Sequence, residues 1–267
     1  MDKEPKWVKY TLITIALIYL FLVLFLLTFN IFYQAFKDGI VPFLQVIQAP
    51  EFINALWLSI LIAVIVVPIN TIFGLCAAWA ITRQEFPGKT LIISILDVPF
   101  SVSPVIAGLM IILLYGQRGW FGGILDIMNI KIVFALPGMI LATAFITLPF
   151  VAREVIPVLE EIGTDQEKAA ETLGANNWQI FWRVTLPNIR WGLLYGVILT
   201  NARAMGEIGA VAVVSGNIIS KTQTLPLFVE DAYKQYDSQS AFAAAVLLAG
   251  LGIITLILKE VLIRVKS

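Results

Sequence analysis

Arg203 and Glu207 are the residues of this sequence best suited to act on a charged solute, because they lie inside the apolar run 192–214. If that run is helical, residues four apart share one face and can pair. Gly206 and Gly209 lie beside them and permit close backbone approach or bending. A fixed cation there favours passage of an anion, and Glu207 would keep the anion from binding too tightly. The alternative is a structural ion pair that locks two helices or two subunits together.

The composition is that of an integral membrane protein. Of 267 residues, 59% are apolar and 13% are charged, and the formal net charge is zero. A soluble domain carries about 25% charged residues. These values exclude a soluble enzyme and a disordered chain, and a nucleic-acid binder would need a basic excess. Inside a membrane each charge of the Arg203–Glu207 pair costs roughly 2.5–3.5 kcal/mol, which makes the pair a functional candidate.

Several chemistries are excluded by residue type. The sequence has no histidine, so His-based zinc sites and Ser-His-Asp triads are ruled out. Its single cysteine, Cys76, has no partner for an internal disulfide. No G-x-x-x-x-G-K-[ST] phosphate loop is present, so ATP-driven transport would need an ATPase on another subunit. We therefore expect no catalytic residue, no metal site and no cofactor bound by this chain.

Six stretches are long and apolar enough to cross the roughly 30 Å hydrocarbon core of a bilayer, for which a helix needs about 20 residues. They are residues 11–35, 55–80, 91–114, 132–151, 192–214 and 241–258. Twelve Lys and Arg residues, Lys3 and Lys266 among them, lie on the side of the termini, against five on the other. The positive-inside rule places both termini in the cytoplasm. The sequence thus predicts a single all-α domain of six transmembrane helices over residues 1–267.

Proline interrupts three of these spans. Pro68 with Asn70 lies in the second, Asp97 and Pro99 lie in the third, and Pro149 lies in the fourth. Proline frees backbone carbonyls, which neighbouring groups or a wet cavity must then satisfy. Such breaks are either part of a lined pathway or simple packing kinks.

The long cytoplasmic loop 152–191 has a helical pattern of its own. Thr164-x-x-Glu167 fits a capping box, Gly174 fits a left-handed C-terminus, and Asn176 or Asn177 can cap a second short helix. Apolar residues fall on one face of each helix: Ala169, Ala170 and Leu173 in the first, and Trp178, Phe181 and Trp182 in the second. Leu186-Pro187 is expected to end the second helix. The pattern predicts either a docking surface for a partner or an anchor at the membrane surface.

The same loop resembles a known motif. The motif is E-A-A-x3-G-x9-I-x-L-P, which occurs in the membrane subunits of bacterial ABC importers. It is similar here to Lys168-Ala169-Ala170-Glu171-Thr172-Leu173-Gly174, then nine intervening residues, then Val184-Thr185-Leu186-Pro187. Lys168 and Val184 depart from the pattern. The resemblance implies a type I importer permease fold and a coupling helix seated in a cleft of an ATPase subunit. The implied coupling residues are Lys168, Ala169, Ala170, Glu171, Leu173, Gly174, Val184, Leu186 and Pro187.

Residues 202–211, Ala-Arg-Ala-Met-Gly-Glu-Ile-Gly-Ala-Val, resemble the A-R-A-[ML]-G-E-[FY]-G-A signature of sulfate and molybdate permeases, with Ile208 replacing the aromatic residue. Residues 97–104, 119–122, 214–217 and 221–227 are similar to the sulfate/thiosulfate branch and its W-type permease subunit. The resemblance implies a multi-pass protein of the bacterial plasma membrane that imports sulfate or thiosulfate by alternating access. The implied partners are a T-type permease subunit in a heterodimer, two copies of an ATPase that uses ATP-Mg, a periplasmic sulfate-binding protein and membrane lipid, but no nucleic acid.

Other readings of the sequence stay open. The outward loop 215–240 offers donors that could meet the binding protein or the anion, or the loop could be merely solvated; the donors are Asn217, Lys221, Thr222 and Thr224. A molybdate or tungstate permease is the alternative within the same class. An ATP-independent secondary anion transporter or channel, or a subunit without a pathway of its own, are alternatives from other classes.

Overall fold

The computed structural model describes residues 6–264, and within that range every regular element is a helix. In chain order the helices are α1 (Trp7–Phe36), α2 (Ile40–Gln48), α3 (Pro50–Arg83), α4 (Lys89–Ser101), α5 (Pro104–Tyr115), α6 (Gly122–Ile127), α7 (Leu136–Thr147), α8 (Pro149–Ile162), α9 (Asp165–Thr172), α10 (Asn177–Met205), α11 (Gly209–Ser215), α12 (Leu225–Lys234) and α13 (Ser238–Arg264). Helices α1 and α10 each contain a π-helical turn, at Phe21–Phe25 and Phe181–Thr185.

The described residues contain four helices long and apolar enough to cross a membrane: α1, α3, α7 continued by α8, and Ser238–Thr255 of α13. Two bent pairs, α4 with α5 and α10 with α11, raise the number to as many as six. Each of the six predicted stretches overlaps one of these helices or pairs, so the predicted all-helical membrane architecture is confirmed. The fourth stretch was placed four residues too early, because α7 begins at Leu136 and not at residue 132. The side on which the termini lie stays a prediction, and Lys3 and Lys266, which contributed to it, lie outside the described residues.

The third span is broken at Val102 and Ser103, the two residues immediately before Pro104. Helix α4 ends at Ser101, and Val102 and Ser103 are extended, with ψ of 129° and 136°. A residue before proline is driven out of the helical region by the pyrrolidine ring, and Pro104 then starts α5. The axes of α4 and α5 differ by 108° as a result.

The break between α7 and α8 is satisfied by a neighbouring helix. Pro149 cannot donate a backbone hydrogen bond, and the N–H of Leu148 turns to the carbonyl of Phe145 instead of that of Ala144. Asn70 of α3 supplies the missing donor, because its Nδ2 lies 2.9 Å from the Ala144 oxygen and 2.7 Å from Thr147 Oγ1. The buried Asn70 therefore links two spans at the position where proline frees a carbonyl.

Small residues let the central helices approach closely. Helix α3 packs along α8 and α10, and their shared core consists of Ala78, Val151, Val155, Leu159 and Ile189. A Cβ atom on Gly74 of α3 would lie 2.7 Å from Val151 Cβ of α8. Only glycine fits at this crossing without displacing one helix.

We expect Gly74→Ala to destabilise the protein by about 1–3 kcal/mol, because the added methyl group overpacks the contact between α3 and α8. Its Tm should fall by several degrees when unfolding is followed in detergent. Gly252→Ala of α13 is the matched control, since a Cβ there meets nothing within 4 Å. That substitution should leave the Tm unchanged or raise it, and equal losses for the two variants would contradict the packing argument.

Candidate functional site

The segment between the fourth and fifth spans is largely helical. Helix α8 continues to Ile162 and α10 already begins at Asn177, so the irregular part of the predicted loop 152–191 is confined to α9 and its flanks. The expectation that Leu186-Pro187 ends a helix is wrong. The π-helical turn at Phe181–Thr185 shifts the hydrogen-bond register just ahead of Pro187, and α10 passes through it to Met205.

The predicted capping box of Thr164 and Glu167 is not formed. Helix α9 begins after Thr164, but the Thr164 side chain makes no capping hydrogen bond. The Glu167 carboxylate is engaged elsewhere, by Arg83 and Thr185. A tertiary contact has replaced the local one.

Arg83 and Glu167 form the centre of a cluster that we name the Arg83 clamp. Arg83, in the last turn of α3, has its Nε 2.9 Å from Glu167 Oε2, and its Nη2 donates to Glu167 Oε1 at 3.2 Å. The same guanidinium donates to the carbonyls of Leu159 at 3.1 Å and Gly163 at 2.8 Å. Thr185 Oγ1 donates to Glu167 Oε1 at 2.8 Å. The clamp thus fastens α9 to α3, to the end of α8 and to α10.

Burial makes the Arg83 clamp different from a surface ion pair. The side chains of Arg83 and Glu167 are 8% and 16% exposed. Arg83 Nε makes no hydrogen bond although it lies close to the carboxylate, so this part of the contact is purely ionic. Removal of one partner from such a pair leaves an uncompensated buried charge. Sequence reasoning used Arg83 only as a marker of membrane orientation, because its partner lies 84 residues further along the chain.

The end of α9 and the start of α10 have the capping residues that the sequence predicts. Gly174 has φ of +86°, the left-handed conformation expected at a helix C-terminus. Asn176 caps α10 through a complete capping box with Gln179, at 2.8 and 3.0 Å. This confirms Asn176 rather than Asn177 as the cap. The turn is therefore fixed by its own local chemistry.

An exposed apolar surface surrounds this turn. Leu173 is 88% exposed, and the rings of Trp178 and Trp182 are also exposed. Trp178 stacks on Phe181 at a centroid distance of 6.2 Å, and Trp182 meets both rings edge to face at 5.6 Å. The predicted common face of the three aromatic residues is confirmed. We name Leu173, Trp178 and Trp182 the aromatic surface. The other predicted coupling residues are divided. Lys168, Ala169, Glu171, Gly174 and Pro187 are exposed, whereas Ala170, Val184 and Leu186 are partly buried.

Arg203 and Glu207 form an ion pair as predicted, but they do not lie on one continuous helix. Arg203 Nη2 lies 2.8 Å from Glu207 Oε2. Helix α10 ends at Met205, and Glu207 lies in the break before α11, where the axis bends by 51°. Glu207 Oε1 accepts a hydrogen bond from the N–H of Ala210 at 2.9 Å and so caps α11. Glu207 is therefore fixed by the bend, whereas Arg203 approaches it from the helix.

The pair is unevenly buried. The side chain of Glu207 is 1% exposed and that of Arg203 is 35% exposed. The guanidinium is thus the more accessible member of the pair. Gly206 occupies the break, and a Cβ on Gly209 would lie 2.7 Å from Pro104 Cβ, so the bend of the fifth span packs directly against the break of the third.

A third ion pair joins the third and fourth spans. Arg153 Nε and Nη2 lie 2.9 and 2.8 Å from Asp97 Oδ1, and its guanidinium lies 4.4 Å above the ring of Phe100. Both charged side chains are about half exposed. Local sequence patterns do not predict this pair, because its members are 56 residues apart in the chain.

The outer loop is tied together internally. Thr222 Oγ1 donates to the carbonyl of Ser215 at 2.7 Å, and Asn217 Nδ2 donates to Asp231 Oδ2 at 2.6 Å. Thr222 and Thr224 are buried, at 5% and 4% exposure, and Lys221 is exposed. A contact of these residues with an anion or a binding protein stays a prediction, and Lys221 is the exposed member of the set.

Comparison with known families agrees with this architecture. Residues 70–265 match the family described as "Binding-protein-dependent transport system inner membrane component". The chain is 63% identical to "Sulfate transport system permease protein CysW" of Synechocystis sp., over 96% of this chain and 92% of that protein. It is 41% identical to "Sulfate transport system permease protein CysT" of Escherichia coli, over 78% of this chain and 76% of that protein.

Solved structures with the same fold include a chain of a bacterial ABC transporter "involved in the import of the acidic polysaccharide alginate". The TM-score is 0.81, with 16% identity over 97% of this chain and 95% of that chain. A second structure, of the alginate transporter "in complex with alginate pentasaccharide-bound periplasmic protein", gives a TM-score of 0.78 and 15% identity over 95% and 92% of the two chains. At these identities the likeness establishes the fold.

Proposed function

Because this chain belongs to the family of binding-protein-dependent transport system inner membrane components, we propose that it carries sulfate across the membrane as a permease subunit of an ATP-driven importer. The observation that carries the proposal is the Arg203 guanidinium, 35% exposed within a bent span and backed by a buried carboxylate. A fixed cation in an apolar medium attracts an oxyanion, and the adjacent Glu207 limits the net positive charge that the anion meets.

The proposed complex contains a T-type permease subunit beside this chain, two copies of an ATPase, and a periplasmic sulfate-binding protein. The likeness to both W-type and T-type permeases supports a heterodimer of two related membrane subunits. This chain would bind no cofactor and perform no covalent chemistry. ATP-Mg would be bound and hydrolysed by the ATPase subunits, and thiosulfate would share the sulfate route.

The coupling step follows from the Arg83 clamp and the aromatic surface. Closing of the ATPase pair would push on α9 and on the start of α10, where Leu173 and Trp178 are exposed. Since Arg83 and Thr185 hold Glu167 of α9, the push reaches α3 and α10 together. Helix α10 carries Arg203 near its other end, so the movement would alternate the access of the pathway between the two sides.

Substrate-dependent ATP hydrolysis tests the proposed function. The chain is expressed with a candidate ATPase and a second permease subunit, reconstituted in vesicles with the binding protein, and assayed with sulfate, thiosulfate or molybdate. We expect sulfate and thiosulfate to raise the ATPase rate and molybdate to have little effect. Stimulation by molybdate alone would favour the molybdate or tungstate permease. Sulfate flux without ATP, from a chain that purifies without an ATPase, would favour a secondary transporter.

Leu173→Asp should weaken docking of the ATPase at least tenfold while the membrane domain stays folded. Leu173 is 88% exposed, so the substitution buries no charge in the isolated chain but places one in the proposed interface. The measurement is the amount of ATPase that co-purifies with the chain, together with its Tm. Ile127→Asp is the matched control, at 87% exposure on the opposite side of the predicted topology, and should leave co-purification intact.

A further inference from the structure

A small cavity lies beside the bend of the fifth span. Its volume is about 10 Å³, which is the lower limit of the space needed to hold one water molecule. Its wall brings together Ser59 of α3, Thr143 of α7, Glu207 of the bend and Thr224 at the start of α12. Four separate parts of the chain therefore present polar side chains to one enclosed point.

Three of these side chains have polar atoms that make no hydrogen bond. Among the described residues, six buried side-chain nitrogen and oxygen atoms are without a hydrogen-bond partner, and three of the six belong to residues lining this cavity: Thr143 Oγ1, Glu207 Oε2 and Thr224 Oγ1. Buried polar groups in proteins are nearly always hydrogen-bonded, to protein or to ordered water. Their convergence on one cavity indicates a shared partner.

We propose that this cavity is a binding site for one ordered water molecule, which bridges Glu207 to the hydroxyl groups of Thr143 and Thr224. The water would donate to Glu207 Oε2 and exchange hydrogen bonds with the two hydroxyls, giving it three partners. That number is typical of buried water. Ser59 has less to offer, since its Oγ already donates to the carbonyl of Ala55 and accepts from the N–H of Leu225.

The charges around the cavity favour a neutral ligand. A carboxylate and two hydroxyls could in principle hold a cation, but the Arg203 guanidinium lies 2.8 Å from the same Glu207 oxygen and repels one. An anion is disfavoured by the Glu207 carboxylate itself. The ion pair does not satisfy this oxygen by hydrogen bonding, because no N–H of Arg203 is aligned with it. A water molecule is the ligand that meets all three groups without a charge conflict.

The proposed water gives the bend of the fifth span a contact with the rest of the bundle. Glu207 caps α11 through its other oxygen, so the water would connect this cap to α7 and to the first turn of α12. A water molecule can keep its hydrogen bonds while its partners shift by fractions of an ångström. The bend is therefore held without being rigidly bonded to its neighbours.

The test is a structure of the protein, with its partner subunits, at a resolution that shows ordered water. We expect one density peak within hydrogen-bond distance of Thr143 Oγ1, Glu207 Oε2 and Thr224 Oγ1, and its loss in Thr143→Val and in Thr224→Val. A cavity without density, with the hydroxyls bonded directly to protein groups, overturns the proposal. So does a peak with the short distances of a bound cation.

A stability cycle checks the same water independently of resolution. Thr143→Val and Thr224→Val are each expected to lower the Tm of the complex by roughly 2–4 °C. The double variant should lose less than the sum, because both hydroxyls serve one water molecule. Thr200→Val is the matched control: Thr200 is fully buried but donates within its own helix, to Gly196 at 2.8 Å. Its combination with Thr143→Val should be additive, and additivity in both pairs overturns the proposal.

Discussion

Arg83→Gln should abolish sulfate-stimulated ATP hydrolysis and reduce sulfate uptake by at least tenfold, while basal hydrolysis by the ATPase persists. The substitution removes the charged partner of Glu167 and leaves the carbonyls of Leu159 and Gly163 with fewer donors. Loss of one member of a buried pair costs about 3–5 kcal/mol. Helix α9 would then no longer be fixed to α3, and a push on it would not reach the spans. Stimulated and basal ATPase rates in proteoliposomes provide the measurement.

Two further variants separate this role from simple misfolding. Arg118→Gln removes an exposed arginine of a loop and should leave both ATPase rates unchanged. Glu167→Gln combined with Arg83→Gln should lower the Tm by less than the sum of the single variants, because the two residues interact directly. Additive losses of Tm, or an Arg83→Gln complex that keeps full stimulation by sulfate, would contradict the clamp.

Arg203→Gln should lower sulfate uptake by at least tenfold without preventing assembly with the ATPase. A tenfold change corresponds to about 1.4 kcal/mol. Two opposite unit charges about 4 Å apart attract by about 4 kcal/mol at an effective dielectric constant of about 20, so the loss of this attraction is large enough. The measurements are uptake of labelled sulfate by vesicles and co-purification of the ATPase. Loss of assembly alone would instead support a purely structural ion pair.

Glu207→Gln is the informative companion of that variant. A glutamine oxygen can still accept the hydrogen bond from the N–H of Ala210, so the cap of α11 is kept. Arg203, however, is no longer neutralised. We expect a lower KM for sulfate together with a lower maximal rate, since the anion binds more tightly and leaves more slowly. Equal defects in KM and rate for both variants would argue against opposed roles of the two charges.

Much of this architecture could be predicted because it depends on local composition. Span length and apolar content locate the helices, and the spacing of Arg203 and Glu207 predicts their pairing. The left-handed Gly174 and the cap at Asn176 are also local, and both agree with the structure.

The features that sequence reasoning missed depend on residues far apart in the chain. Glu167 fits a capping box with Thr164, yet it binds Arg83 and Thr185, because a charged partner outweighs a backbone N–H. The break at Gly206 was foreseen only as possible bending, and its stabilisation by Glu207 depends on a backbone turn that no periodicity reveals. The pairing of Asp97 with Arg153 belongs to the same class.

The uninterrupted course of α10 makes it a lever. From Trp178 to Arg203 the helix rises about 38 Å at 1.5 Å per residue, so a tilt of about 5° about one end would move the other by roughly 3 Å. The π-helical turn at Phe181–Thr185 lies close to the end of α10 that the ATPase would push. Some bending at this turn would reduce the movement of Arg203 only slightly. An insertion of one residue between Leu193 and Thr200 would turn Arg203 and Glu207 together by about 100° relative to the docking end. It would therefore keep the ion pair and the docking end but change the direction in which the pair faces.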